Sequence, residues 1–355
     1  MKRVVAVLLA TLVVGSVAAV AQQPCLVVGM IIGGTKDDAG YNQSQYEALM
    51  ALKNKMPCVK VLFAENVPEG DAEAVLENMI AQGAKLLFPA GFGYMFPALN
   101  LAKRYSDVVF MHPGGYMLAP NFGTYFSNVQ FAYYVLGVAA GLMTKTNKIG
   151  FIGGLPVAFV LGNCNAFHLG ARAVNPNVET VFVVTGTWLD RAKEVAATQA
   201  LLQQGCDVIG SHLDSPIAVA QTVEAAGAFF VGYPSLAVQK FAPNAWVSGL
   251  GLTWGDFFVD IAQQVLNKTW KSAHIRKGLE AGFITLGEFG PRVPEGVKAK
   301  VLEYAELLKA GKIKPFAGPI YDQAGNLKIA AGEAWGALDM GKFDWLVQGI
   351  TGSPK

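Results

Sequence analysis

From Cys25 onward the chain alternates short apolar runs with stretches whose apolar residues return every three or four positions. CLVVGMIIGG (Cys25–Gly34), VKVLFA (Val59–Ala64), the end of IAQGAKLLF (Ile80–Phe88) and DVVFM (Asp107–Met111) are apolar at nearly every position, the signature of strands buried on both faces. The same series returns about 120 residues later as KIGFIG (Lys148–Gly153), VETVFV (Val178–Val183), LQQGCDVIG (Leu202–Gly210) and AFFVG (Ala228–Gly232). Each match is loose, but four in one order at nearly one spacing make an internal repeat. Helical faces lie between the runs. Tyr46, Leu49, Met50 and Lys53 share one face, as do Val75, Leu76, Met79 and Ile80, with Gly83 as a stop. Asp190 can cap a helix that runs to Leu202 and stops at Gly205.

Apolar strands alternating with helices predict an α/β fold of two doubly wound parallel-sheet lobes, Rossmann-like and joined by a hinge. The repeat places lobe one at 22–144 and lobe two at 145–249. In VSGLGLTWGDFFVDIAQQVL (Val247–Leu266), Thr253 and Asp256 form a capping-box pattern. The residues that follow hold no third repeat. A return segment, 250–330, is expected to complete the sheets, with 331–355 as a C-terminal tail.

The N-terminus sets the compartment. Lys2 and Arg3 precede an apolar run, Val4–Val20, that closes on Ala19-Val20-Ala21. A basic start, an apolar middle and an A-x-A site describe a secretory signal peptide, 1–21, cleaved after Ala21. The rival reading is a membrane anchor, because the run nearly reaches the roughly 18 residues a span needs. Export implies a soluble periplasmic or secreted protein in which disulfides persist. Cys25 and Cys58 each begin a strand. If those strands are parallel neighbours, the two residues lie about 5 Å apart and can form a disulfide. The alternative is two small residues that merely pack. Cys164 and Cys206 are left unpaired. The chain is 52% hydrophobic and 15% charged with a net charge of +2, which excludes a disordered chain and gives no basic surface for nucleic acid.

Ligands of open α/β sheets bind beyond the carboxyl ends of the strands. The loops there carry Asp38, Tyr41, Asn42, Phe92, Trp188, Asp214 and Tyr233. An aromatic-rich cleft with few charges suits a flat, mostly neutral ligand. Tyr41 sits between Gly40 and the helix start, an awkward place for a core tyrosine, and is read as a ligand face. Trp188, just before the Asp190 cap, is read the same way. Asn42 with Gln45 three residues on fits a helix cap, alone or together with a ligand contact. Ser215-Pro216 fits a cap and first helical position, which leaves Asp214 as the freer acid of its loop.

Catalytic patterns are thin. Gly33-Gly34-Thr35-Lys36 lacks the spacing of a phosphate loop, no GxGxxG follows Gly150, and no GxSxG occurs. His212-x-Asp214 is the one metal-like pair and has no further ligand pattern near it. No cofactor and no catalytic residue is assigned.

DDAGYNQSQYEAL, AENVPEGDAEAVLENMIAQGAKLLF, FGYMFPAL, NPNVETVFVVTGTWLDRAKE and KSAHIRKGLEAGFITLG resemble the BMP (basic membrane protein) family, substrate-binding proteins of ABC importers and often purine nucleoside receptors. The resemblance runs from about Gln22 to Phe316. It implies a type I periplasmic binding-protein fold, an inner-membrane ABC permease as partner, and a purine-like ligand between two aromatics. Tyr41 matches the first, with Asp38 and Asn42 as polar neighbours, and Trp188 the second. Cys25 follows Pro24 without a lipobox, so a lipid anchor is not expected. In nucleoside-binding relatives, acids in two loops and a lysine hold the ribose. The matching stretches here, VVFMHPGGY, FFVGYPSLAV and WVSGLGLTW, hold none of them, and Tyr233 and Pro113 would fill the volume. The resemblance therefore implies a free base such as adenine. The alternatives are a sensor of the same fold for another small molecule and, with least support, a secreted α/β enzyme.

Overall fold

A strand covered by helices on both faces must be apolar throughout, and the runs that meet this condition are the central strands of two sheets. The computed structural model describes residues 23–355, and the signal peptide expected at 1–21 lies outside the described residues. The first sheet is built from β1 (Leu26–Ile32), α1 (Tyr41–Lys55), β2 (Val59–Ala64), α2 (Ala72–Ala81), β3 (Leu86–Ala90), α3 (Met95–Arg104), β4 (Val109–Pro113) and β5 (Phe122–Ser127). The second follows with α4 (Val129–Met143), β6 (Lys148–Gly153), α5 (Ala158–Val174), β7 (Glu179–Val184), α6 (Arg191–Gln203), β8 (Val208–His212), α7 (Ile217–Ala226), β9 (Phe229–Gly232) and β10 (Trp246–Leu252). Then come α8 (Gly255–Leu266), β11 (His274–Lys277), β12 (Ile284–Leu286), α9 (Glu295–Lys309) and the short strands β13 (Ile320–Tyr321), β14 (Leu327–Ile329) and β15 (Ile350–Thr351).

The two sheets repeat one topology. Their orders are β11-β5-β4-β3-β1-β2 and β12-β10-β9-β8-β6-β7-β15. Within each, the central strand pairs in parallel with its neighbours: Val28 sits opposite Val61 and Leu86, and Ile149 opposite Thr180 and Val208. The reversal of order at β1 and β6 opens a crevice at the carboxyl ends of both sheets. At the opposite end of lobe one, Cys25 and Cys58 are joined by a disulfide, with Cα atoms 5.4 Å apart.

Sheet membership moves the passage between lobes earlier than residue 144. Helix α4, which the repeat placed in lobe one, packs along α5 of lobe two. The cause is close backbone approach. A Cβ at Gly137 would run into the Phe167 carbonyl, and one at Gly170 into the Tyr134 carbonyl. Helix α4 is buried nearly all round, the pattern of a core helix. The return segment is shared. Phe258 of α8 stacks on Phe88 at 3.9 Å in lobe one, and β11 joins the first sheet, but β12 runs antiparallel to β10 in the second. The tail also enters lobe two, where β15 pairs with β7.

The chain thus crosses between lobes after β5, after β10 and after β11. Hydrogen bonds tie these crossings together. Trp254 Nε1 donates to Ser127 Oγ at 3.0 Å, Ser127 Oγ donates to the Phe283 carbonyl at 3.1 Å, and Asn128 N donates to the Lys277 carbonyl at 2.7 Å. The expected Thr253–Asp256 capping box does not form. Thr253 is drawn into the crossing, where its hydroxyl donates to the Gly282 carbonyl at 2.8 Å, and Asp256 pairs with Lys55 of α1. Among the described residues, no helix is long and apolar enough to cross a membrane.

Candidate ligand-binding cleft

The turn Lys36–Tyr41 is organised by one carboxylate. Asp38 is 7% exposed and accepts hydrogen bonds from the backbone N–H groups of Gly40 at 2.8 Å, Gln43 at 3.0 Å and Asn42 at 3.2 Å. It therefore satisfies the unpaired N–H groups at the start of α1, the role expected of Asn42. Asn42 cannot take it, because the helix begins one residue earlier, at Tyr41. Its Nδ2 donates to Asp38 and its Oδ1 accepts from Gly34 N at 3.2 Å, tying the end of β1 to the turn. Asp190 does cap α6, accepting from Lys193 N at 3.1 Å.

This turn touches the other lobe directly. Tyr41 N donates to the Asp214 carbonyl at 2.8 Å, and Ser215 Oγ donates to the Asp38 carbonyl at 2.7 Å. Ser215 is thereby used between lobes, and α7 starts at Ile217 without a side-chain cap. Gly40 lies at the closest approach, where a Cβ would run into the Asp214 carbonyl.

Between the lobes lies a cleft of about 640 Å3. Tyr41, Asn42, Phe92, Trp188 and Asp214 all line it. Asp38 and Tyr233 do not. Asp38 is spent beneath the turn, and Tyr233 is 1% exposed, its ring packed behind the cleft wall 4.8 Å from His212 and 5.3 Å from Tyr133. Burial lifts the Tyr233 phenol well above its ordinary value, so it stays neutral.

Trp188 stacks on Phe159 with centroids 5.8 Å apart and planes 8° from parallel. Phe92 closes on both, at 6.4 Å from Trp188 and 6.1 Å from Phe159, and Phe126 lies 6.1 Å from Phe159. Neither Phe126 nor Phe159 stands out in the sequence, because one ends an apolar strand and the other opens an apolar helix. Gln130, Arg276 and Met340 also line the cleft. Arg276 comes from β11 and Met340 from the tail, segments with no counterpart in the repeat. For Arg276 the only signal is a cation in the KSAHIRKG stretch.

The electrostatics are uneven. Arg276 donates to the Gly115 carbonyl at 2.9 Å and the Ile275 carbonyl at 3.3 Å. Among the described residues no carboxylate lies within ion-pair distance of it. Burial brings its guanidinium down to about 10, still charged at neutral pH. Asp214 is pushed up to about 8, first by burial and then by the charges of Asp38 and Glu194. Burial also takes His212 down to about 3, so it is a neutral imidazole. Among the described residues no cluster of His, Cys, Asp and Glu could hold a metal ion.

The family model of the ABC transporter substrate-binding proteins described as PnrA-like (Bmp) matches residues 25–322. The chain belongs to this family. A purine-binding protein of Brucella abortus (strain 2308) is 37% identical over 87% of this chain and 88% of its own length. A relative from Haloferax volcanii, provisionally named an ABC transporter glucose-binding protein, is 30% identical over 80% of this chain and 72% of its own. A solute-binding protein of an ABC transporter system from Conexibacter woesei superposes with a TM-score of 0.68 at 24% identity, covering 81% of this chain and 97% of that one, a likeness of fold. The fold is that of type I periplasmic binding proteins. As a member of the PnrA-like family the chain is an extracytoplasmic solute receptor of an ABC importer, with a small-molecule ligand and a permease as partners. The family's work is binding, not catalysis.

Proposed function

We propose that this PnrA-like receptor binds a free purine base, adenine ahead of the nucleosides, between its lobes. The observation that carries the reading is the set of aromatic side chains around the cleft, with Tyr41 on one lobe and Trp188, backed by Phe159, on the other. Stacking on aromatics is worth about 1–3 kcal/mol per base, so two faces supply roughly 2–6 of the about 8 kcal/mol that micromolar affinity needs. The carboxyl ends of β4 and β9 argue against ribose. His112-Pro113 closes β4 and Tyr233-Pro234 follows β9, with no carboxylate at either place to hold vicinal hydroxyls, which need fixed polar partners to offset their desolvation. The purine-binding name of the Brucella relative supports the same ligand class. The leader 1–21 is read as a cleaved signal, giving a periplasmic protein, and domain closure about the three crossings as the signal a permease reads.

A second reading is a receptor for another small solute, such as a sugar. The polar cleft groups Glu69, Gln130 and Arg276, and the glucose-binding name of the Haloferax relative, favour it. Calorimetric titration with adenine, hypoxanthine, adenosine, guanosine and glucose separates the readings. Adenine should bind tighter than adenosine. Nucleosides binding tenfold tighter than their bases would replace the free base with a nucleoside, and glucose alone binding would replace it with a sugar.

A further inference from the structure

Asp214 occupies a singular place in the cleft. Its N–H donates to the Trp188 carbonyl at 3.0 Å, and its own carbonyl accepts from Tyr41 N at 2.8 Å. Its backbone is thus pinned between the two residues proposed to sandwich the base. Asp214 lines the cleft, and among the described residues no protein donor meets its carboxyl group. The titratable groups that face it are Asp38 and Tyr41 from the turn and α1, Tyr94 from lobe one, Glu194 from α6 and Tyr233 at the end of β9. His212, two residues away, is a buried neutral imidazole. Arg276, the cation that lines the same cleft, is not among them, and neither is any other cation. Asp214 is half-buried in the cleft wall. With a flat base filling the cleft and excluding water, a carboxylate here would be desolvated, without a protein donor and beside other acids, which are the conditions that keep a carboxylic acid protonated.

We propose that Asp214 reads the base as a neutral carboxylic acid, its O–H donating to a ring nitrogen and its C=O accepting from the neighbouring exocyclic amine of an amidine-edged base such as adenine. This rests on the free-base reading. A neutral acid presents one donor and one acceptor side by side, and adenine's ring nitrogen and amine present the complement. A carboxylate has only acceptors, so it loses the bond to the ring nitrogen and repels its lone pair. Burial, with Asp38 and Glu194 nearby, pushes the group up to about 8, close above neutral pH. Adenine affinity should therefore be level on the acid side and fall as pH rises through that value.

The test is calorimetric titration of adenine from about pH 6 to about pH 9 on the wild type, Asp214→Asn and Asp214→Ala. Wild-type affinity should fall about tenfold per pH unit above the midpoint. Asp214→Asn keeps a donor and an acceptor, so its affinity should be flat with pH and about tenfold above that of Asp214→Ala. The carbon-13 carboxyl resonance of Asp214 in ligand-free wild type should titrate above about pH 7. A flat wild-type profile, an Asp214→Asn variant as weak as Asp214→Ala, or a carboxyl midpoint below about pH 6 overturns the proposal. If a purine binds with a flat profile, the free-base reading stands and the neutral acid falls. If no purine binds at any pH, both fall.

Discussion

Replacing Gly40 with alanine tests whether the contact between lobes sets the width of the cleft. The backbone at Gly40 has φ −144°, where alanine carries no left-handed strain. Its added Cβ instead meets the Asp214 carbonyl across the lobe boundary. Neither side can yield locally, because both are backbone. The relief is for the lobes to separate there, breaking Tyr41 N–H to the Asp214 carbonyl, 2.8 Å, and Ser215 Oγ to the Asp38 carbonyl, 2.7 Å. Each such bond contributes about 0.5–1.5 kcal/mol net, so the pair is worth roughly 1–3 kcal/mol, or a loss of about 5- to 150-fold in ligand affinity. The bond from Gly40 N to Asp38, which caps α1, is kept, so each lobe should fold as before. Calorimetry with the best-binding base and a melting curve without ligand read the two effects separately. Affinity within twofold of wild type would refute the argument. So would a ligand-free melting temperature that collapses, since that would make the contact part of the folding core.

Two further outcomes follow from single residues. Trp188→Ala should weaken base binding by about 1–3 kcal/mol by calorimetry with little change in ligand-free melting, and unchanged affinity would remove Trp188 from the stack. Cys25→Ser opens a loop of sequence separation 33. On the chain-entropy formula the loss is about 4 kcal/mol, readable by denaturant unfolding, and a loss under about 1 kcal/mol would contradict it.

Read alone, the residue order determined the two lobes, because strands buried on both faces leave continuous apolar runs and a repeat makes those runs recognisable. It also located the turn at Asp38–Asn42 and Trp188, since both follow strand ends, where a doubly wound sheet places its ligand. It could not assign α4, whose apolar residues fit a helix in either lobe. The backbone approach at Gly137 and Gly170 decides that, and no periodicity encodes it. Nor could it divide labour within the turn. Asp38 and Asn42 are both good caps, and a helix that starts two residues before the start an Asn42 cap requires gave the role to Asp38. Tyr233 follows a strand end as Trp188 does, but packing against Tyr133 and His212 turns its ring away from the cleft. Phe126, Phe159, Arg276 and Met340 reach the cleft from four separate segments. Each looks like an ordinary strand, helix or tail residue in sequence. What makes them cleft residues is the meeting of two lobes through three crossings, and the long-range packing that brings these segments together is set by tertiary contacts, not by local pattern.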